Sequence, residues 1–296
     1  MKTFQVITDS TSDVQLKFRD ELDIDYLKMV FTIDEKNYDA DLEWGGINSK
    51  DYYDAMRKGK RSITGLIKAE EVETKFTKYL EKGLDVLYIA CSGKLSSSIN
   101  TAKSYGEEIL EKFPGRKIVC FDSLRSNYAE GYMAMKAAEL ANEGKTLEET
   151  VAWLEENKLK FQTYATVGSL EWLKKAGRVK ASTAFFGNLI GVKPIILGDA
   201  NGNNYSYKKV KGRKTSLDEL VNTIVERIEN PAEADLFIEH ADCEQDAKYI
   251  ADAVKAKANV KNINISVLGP IIGATTGPDT ITVNFYGEKV TLVGEE

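Results

Sequence analysis

The chain has 296 residues, a formal net charge of −6 and 43% hydrophobic residues, the composition of an ordinary soluble globular protein. The acidic balance argues against nucleic acid as a partner, because a phosphate-binding surface is normally basic. No apolar run approaches the roughly 20 residues that span a bilayer, and the N-terminus lacks a signal-peptide pattern. We therefore expect a cytoplasmic protein that does not insert into membranes.

Residues that hold metals or form disulfides are scarce. The three cysteines, Cys91, Cys120 and Cys243, show neither paired spacing nor a zinc-site pattern. His240 is the single histidine, so it is the one base available to a Ser-His-Asp triad. The sequence thus predicts no metal site and no cofactor.

Strand and helix patterns alternate along the whole chain, which predicts the α/β class. Strands are expected at 4–8, 24–33, 86–90, 117–121, 163–167, 193–197, 205–210, 236–239, 263–268 and 281–286. Helices are expected at 51–57, 69–80, from 99 onward, and at 131–141, 147–157, 168–175, 182–189, 217–228 and 247–256. The polar stretch 155–158 divides the chain into predicted domains 1–158 and 159–296.

Polar side chains follow three strands of the first half, at the point where each strand ends. Asp9 and Ser10 follow the first strand, Ser92 and Ser96 follow the strand at 86–90, and Ser123 follows the next. In a parallel sheet these ends meet at one edge, where ligands bind, and hydroxyls with helix-start amides there can hold a phosphate or a carboxylate. The alternative is that these residues only cap helices.

Two further residues have open interpretations. Ser96 with His240 as general base would make a serine hydrolase, which is a candidate from another functional class. Arg178 follows a helix in the segment KKAGRVK, and it is either an anion or partner contact or a solvated cation.

The segments ITDSTSD, SGKLSSS, FDSLRS, VGSLEWLKKAGRV, GVKPII, KGRK and GATTGP occur together in this order. Their order and spacing resemble the DegV family of bacterial fatty-acid-binding proteins, over residues 3–287 as one unit. The resemblance implies the two-domain DegV (EDD) fold, with a mainly parallel sheet in the N-terminal domain and a mixed sheet in the C-terminal domain.

The resemblance also implies a binding protein, not an enzyme. Members of the family hold a long-chain fatty acid such as palmitate in a tunnel between the two domains. They present its carboxylate to a fatty acid kinase, which phosphorylates it with ATP bound on the kinase. We expect a monomer when no kinase is present. A lipid sensor that uses the same pocket without phosphotransfer is the second possibility.

By motif match, the resemblance makes Thr64 and Ser96 the carboxylate ligands, and it brings Arg178 near the headgroup and the kinase. Ser92, Thr275, Asp9 and Ser10 are secondary headgroup candidates.

The sequence departs from the family pattern near the headgroup. Thr275 stands where the family has a histidine, and Gly65-Leu66-Ile67 replaces Ser-Gln-Pro after Thr64. Ser97 and Ala176 each replace a glycine. Thr275 can donate a hydrogen bond but cannot carry positive charge, so the ligand or the coupling to a kinase can differ from the family pattern.

Overall fold

The computed structural model describes residues 2–180 and 191–294, and the helix predicted at 182–189 lies outside them. Within these residues the helices are α1 (Leu16–Leu22), α2 (Ser49–Arg57), α3 (Ala69–Leu80), α4 (Ser98–Leu110), α5 (Asn127–Asn142), α6 (Leu147–Asn157), α7 (Leu170–Ala176), α8 (Arg213–Arg227), α9 (Glu244–Lys257) and α10 (Pro270–Thr276). None of these helices is long and apolar enough to cross a membrane.

Strands alternate with helices over much of the described chain, as the sequence predicts. The strands are β1 (Phe4–Asp9), β2 (Asp25–Leu27), β3 (Val30–Ile33), β4 (Lys36–Asp39), β5 (Ile63–Gly65), β6 (Asp85–Ala90), β7 (Ile118–Asp122), β8 (Phe161–Thr166), β9 (Val179–Lys180), β10 (Val192–Gly198), β11 (Asn204–Lys211), β12 (Asp235–His240), β13 (Asn262–Val267) and β14 (Ile281–Tyr286). The exceptions to the alternation are the consecutive strands β2–β4 and β10–β11.

Three sheets organise the described residues, and they confirm the predicted fold class. The first has the order β2-β1-β6-β7 and is entirely parallel. The second is mixed, with the order β13-β12-β14-β8-β10-β11-β9. A small antiparallel sheet, β4-β3-β5, belongs to the first half of the chain.

The parallel sheet is covered on both faces, which explains its continuous apolar strands. Along β6, Val86 and Tyr88 pack with α3, while Leu87 and Ile89 pack with α5. This alternation follows from the period of two in a strand. The sheet is therefore held between two separate apolar clusters.

Helix α5 lies between the parallel sheet and the mixed sheet, where it contacts β1 on one side and β8 and β14 on the other. Most of its residues are buried, including the small side chains Ala129, Ala134, Ala137 and Ala138. A helix that is apolar all round belongs in a core. The two halves of the chain therefore pack around this shared helix, whose N-terminus lies at the sheet edge described below.

The prediction of one strand at 24–33 is wrong. The segment is divided into β2 and β3, which belong to different sheets. The break falls at Met29, whose amide donates to the Ser10 hydroxyl and whose carbonyl accepts from the amide of Ala40. These bonds to distant residues take the place of ladder bonds, so the chain leaves the parallel sheet here.

Two other local predictions need correction. Thr64, expected in a loop, lies in the short strand β5 and pairs with Phe31 of β3. The segment before β14, for which no helix was predicted, forms α10, with Pro270 in its first turn. Proline fits the first helical turn because the amide it lacks would have no intrahelical partner there.

Candidate functional site

A cavity of about 340 Å³ lies at the carboxyl ends of β1 and β6, bounded by β5, the N-terminus of α4 and α10. Its lining residues are Thr11, Met29, Thr64, Gly65, Leu66, Cys91, Gly93, Lys94, Leu95, Ser96, Ser97, Ser126, Arg178, Asn204, Ile271, Ile272, Thr275 and Thr276. Residues from both halves of the chain contribute to it. The edge of the parallel sheet where the sequence predicts a ligand site is thus a real opening in the fold.

Two smaller spaces adjoin the cavity, one at its outer end and one at its inner end. An outer space of about 120 Å³ shares Thr64, Arg178 and Thr275 with it, and its other lining residues include the exposed Arg61, Ile63 and Lys175. We call this outer end the mouth. At the other end a narrow space of about 30 Å³ lies against buried residues of β8 and β10. We call this inner end the neck.

Thr64 and Ser96, the two carboxylate ligands implied by the resemblance, both line the cavity. The Thr64 hydroxyl makes no hydrogen bond within the described residues and is half-buried, so it is available to a ligand. The Ser96 hydroxyl donates to Ser98 Oγ at 3.0 Å and accepts from the Ser98 amide at 3.2 Å. Ser96 must therefore turn its hydroxyl away from Ser98 in order to donate to a carboxylate.

The N-terminus of α4 adds partial positive charge to the same part of the cavity, which favours an anion. The helix has thirteen residues and begins after Ser97, which also lines the cavity. The unpaired amides of a helix N-terminus carry partial positive charge and stabilise anions. Lys94 is exposed and contributes a full positive charge to the lining.

Arg178 and Thr275 line both the cavity and the mouth. Arg178 is exposed, and its guanidinium donates to the carbonyl of Ala176 at 2.8 Å, an arrangement that leaves other N–H groups for a ligand or partner. The Thr275 hydroxyl has no hydrogen-bond partner among the residues described. The structure thus brings Thr64, Ser96, Arg178 and Thr275 together.

Asp9 does not line the cavity. Its buried carboxylate accepts hydrogen bonds from the hydroxyl and amide of Thr11, from the Tyr88 hydroxyl at 2.6 Å, and from the Cys91 amide. These bonds occupy its oxygens and tie the loop after β1 to the end of β6. Asp9 therefore supports the walls of the cavity.

Ser10 and Ser92 also lie outside the lining and hold segments together. The Ser10 hydroxyl donates to the carbonyl of Ala40 at 2.7 Å. The Ser92 hydroxyl donates to the carbonyl of Gly202 at 2.7 Å, which fastens the loop after β6 to the turn between β10 and β11. The ligand roles of Asp9, Ser10 and Ser92 gain no support from this geometry.

His240 does not lie beside Ser96. It ends β12 in the mixed sheet and is absent from the cavity lining, and burial lowers the pKa of its imidazole. Cys91 lines the cavity, but burial raises the pKa of its thiol well above the ordinary value, which disfavours the nucleophilic thiolate. Residues 2–180 and 191–294 also contain no cluster of metal-ligating side chains.

Several lining residues could not be recognised as cavity residues from the sequence. Met29, Ile271 and Ile272 supply apolar wall, but their sequence positions resemble those of ordinary core residues. Asn204 begins β11, one residue before the predicted strand at 205–210, and it is remote in sequence from the strand-end loops. Only the folding of the hairpin over the sheet edge brings it to the cavity.

The fold and the cavity define an α/β protein of two main sheets, with a hydroxyl-lined opening at the edge where its halves meet. The profile of the DegV family, described as uncharacterised proteins, matches residues 3–288. The chain belongs to the DegV family.

Similar proteins cover the same length. A DegV domain-containing protein of Clostridium perfringens is 35% identical over 288 residues, which is 97% of this chain and 99% of that protein. A DegV lipid-binding protein from Thermotoga maritima has a similar structure, with a TM-score of 0.85 and 25% identity, covering 98% of this chain and all of that chain. DegV of Bacillus subtilis, a fatty-acid-binding protein, gives a TM-score of 0.82 at 25% identity, covering 97% of this chain and all of that one.

Proposed function

We propose that this protein binds a long-chain fatty acid and presents its carboxylate to a fatty acid kinase. The observation that carries the proposal is that Thr64, Ser96, Thr275 and Arg178 line the same cavity. The description of the B. subtilis and T. maritima relatives as fatty-acid-binding and lipid-binding proteins supports the same ligand class.

The chemistry of the lining suits an amphiphilic acid. A carboxylate withdrawn from water must have its hydrogen bonds replaced, since leaving it bare costs several kcal/mol. Hydroxyls of Thr64 and Ser96 and the amides at the start of α4 can replace them. Farther in, Met29, Ile271 and Ile272 offer apolar contact to the acyl chain.

The acyl chain supplies most of the affinity in this arrangement. Each buried methylene contributes ~0.8 kcal/mol, so a sixteen-carbon chain outweighs any single headgroup hydrogen bond. The hydroxyls of Thr64 and Ser96 then fix the direction of the ligand. With the carboxylate at the mouth, a separate kinase can reach it from solvent, and this protein needs no nucleophile.

The two-step experiment begins with native mass spectrometry and lipid extraction of the purified protein. A co-purified C14–C18 acid is the expected result. Adding a fatty acid kinase and ATP should then yield acyl phosphate. A bound acid without acyl phosphate would favour the lipid sensor, and a protein without lipid that hydrolyses esters would favour the hydrolase.

A further inference from the structure

The hydroxyl of Ser126 makes no hydrogen bond to the protein within the described residues. Ser126 is 4% exposed and lines both the cavity and the neck. It occupies the N-cap position of α5, yet its side chain makes no capping bond, and no other residue among those described hydrogen-bonds to it. The hydroxyl borders the cavity, where water can bond to it, and an apolar ligand group that displaces this water leaves the hydroxyl unbonded.

Asn204 lies at the same place. It lines both the cavity and the neck, and its side-chain amide has no hydrogen-bond partner among the described residues. Its backbone is held in β11 by pairing with Gly198 and Val179. The amide is therefore positioned by two neighbouring strands, and it offers a donor and an acceptor to the interior.

The other polar side chains of the neck already bond within the protein: Asn127 donates to Thr163, Thr276 to the carbonyl of Ile272, and Thr282 to Glu239. The neck continues past Ala165, Val179 and Ile196, and Ile272 borders both spaces. An alkyl chain without polar substituents that passes here offers no hydrogen bond to the Ser126 hydroxyl or to the Asn204 amide. A ligand with a hydroxyl group on its chain at this point satisfies both of them.

We propose that the cavity selects fatty acids that carry a hydroxyl group within the first few carbons after the carboxylate, and that Ser126 and Asn204 bind that hydroxyl. This inference rests on the proposed function, because it takes Thr64 and Ser96 as the carboxylate end. The amide of Ser96 donates to the carbonyl of Ser92 at 3.0 Å, and the amide of Ser92 donates to the carbonyl of Arg125 at 2.7 Å. The loop that carries Ser96 therefore lies against the segment that carries Ser126, which favours a hydroxyl close to the carboxylate.

The test measures the dissociation constants of the delipidated protein for four acids. The probes are hexadecanoic acid, its 2-hydroxy and 3-hydroxy derivatives, and 12-hydroxyoctadecanoic acid. We expect the 2-hydroxy or the 3-hydroxy acid to bind roughly tenfold more tightly than hexadecanoic acid, the gain of one buried hydrogen-bonded group. The 12-hydroxy acid should show no such gain.

Two variants test whether Ser126 and Asn204 cause the preference for hydroxylated acids. Ser126→Ala removes the hydroxyl without removing a capping bond, and Asn204→Leu keeps a side chain of similar size without its amide. Each should bring the ratio of the dissociation constants for the plain and the hydroxylated acid close to one, and circular dichroism shows independently that the variant is folded. Ser104→Ala, an exposed position on α4, is the matched control and should keep the preference.

Three results would overturn the inference. Equal affinity of the wild type for all four acids would remove the selectivity. An equal loss of both ligand types in Ser126→Ala would make Ser126 a carboxylate ligand instead. Failure of the wild type to bind any of the acids would refute the proposed function itself. Binding without a preference would refute only the selectivity, so the test distinguishes the two outcomes.

Discussion

The hydroxyl of Ser98 links Ser96 to the segment that follows Thr64. It accepts from the Ser96 hydroxyl at 3.0 Å and from the amide of Ile67, in the segment that follows Thr64, at 3.4 Å. Ser98 is fully buried, so these bonds are shielded from water. The position of the Ser96 loop relative to β5 therefore depends on one side chain that does not line the cavity.

Replacing either proposed ligand should weaken fatty-acid binding. Hydrogen bonds to a charged group contribute roughly 1.5–3 kcal/mol, so Ser96→Ala and Thr64→Val should each raise the dissociation constant for hexadecanoic acid about tenfold or more. Titration of delipidated protein measures this change. Unchanged affinity together with unchanged phosphorylation would refute both assignments.

Arg178→Ala should reduce phosphorylation by a kinase more than it reduces binding. The guanidinium is exposed at the mouth, where solvent screening limits its direct contribution to ligand affinity to about 1 kcal/mol or less. Parallel measurements of the dissociation constant and of acyl phosphate formation separate the two effects. Lys175→Ala, another exposed cation at the mouth, serves as the control. An equal loss in both assays would contradict this role for Arg178.

At the scale of the element, α5 is held in place by a close approach of backbones. A Cβ atom on Gly131 would fall against the carbonyl oxygen of Ser12 and 2.5 Å from a methyl group of Val14. Only glycine lets the helix lie this close to the loop after β1. The N-terminus of the helix, with Ser126, takes its position from this contact.

Gly131→Ala should therefore destabilise the protein although alanine favours helices. Overpacking of this kind typically costs 1–3 kcal/mol, whereas the gain in helix propensity is about 1 kcal/mol. Urea unfolding measures the difference. Gly106→Ala in α4 is the matched control, because its Cβ would meet Ile118 at 3.4 Å, and it should be neutral or stabilising. A stabilised Gly131→Ala variant would show that the backbones can separate without cost.

At the scale of the whole molecule, two buried carboxyl groups meet where the halves of the chain join. Asp13 follows β1, and Glu239 lies in β12 of the mixed sheet. Burial raises the pKa of Asp13 well above its usual range, and the neighbouring Glu239 raises it further. Burial also raises the pKa of Glu239. The junction is therefore most stable when at least one of these groups holds a proton.

The raised pKa values of this pair determine how the free energy of unfolding changes with pH. A carboxyl whose pKa is higher in the folded state stabilises the fold fully below its unfolded pKa, and this contribution is lost as pH rises through the folded value. Asp13→Asn cannot ionise, so its free energy of unfolding should fall less between pH 5 and pH 8 than that of the wild type. One such group changes the free energy of unfolding by at most about 1.4 kcal/mol per pH unit.

Asp25 provides the opposite case as a control. Burial raises the pKa of its carboxyl, but hydrogen bonds from Lys75 and Tyr79 outweigh that effect and lower the pKa to about 2. Its contribution is present above about pH 4 and is lost as pH falls toward 2. Asp25→Asn should therefore be less stable throughout pH 5–8, with a slope like that of the wild type. Equal slopes in Asp13→Asn and the wild type would refute the role of Asp13.

Local patterns were sufficient to predict most of the elements but not how they pair. The helix at 147–157 was predicted to the residue from its amphipathic pattern, and in the structure Thr146 and Glu149 form a capping box at its start. The strand at 24–33 was wrong, because its division depends on bonds from Met29 to Ser10 and Ala40. An apolar run shows that a segment is buried, but it does not show in which sheet.

The sequence by itself determined the α/β class, the order of the elements and the polar ends of the strands, because periodicity and helix signals act over a few residues. The tertiary structure alone decided that Thr64 and Ser96 line one cavity, that Ser92 fastens a loop to Gly202, and that Asn204 and Ser126 both line the neck. These contacts join residues from distant parts of the chain. Their geometry follows from how sheets and helices pack, which no short segment specifies.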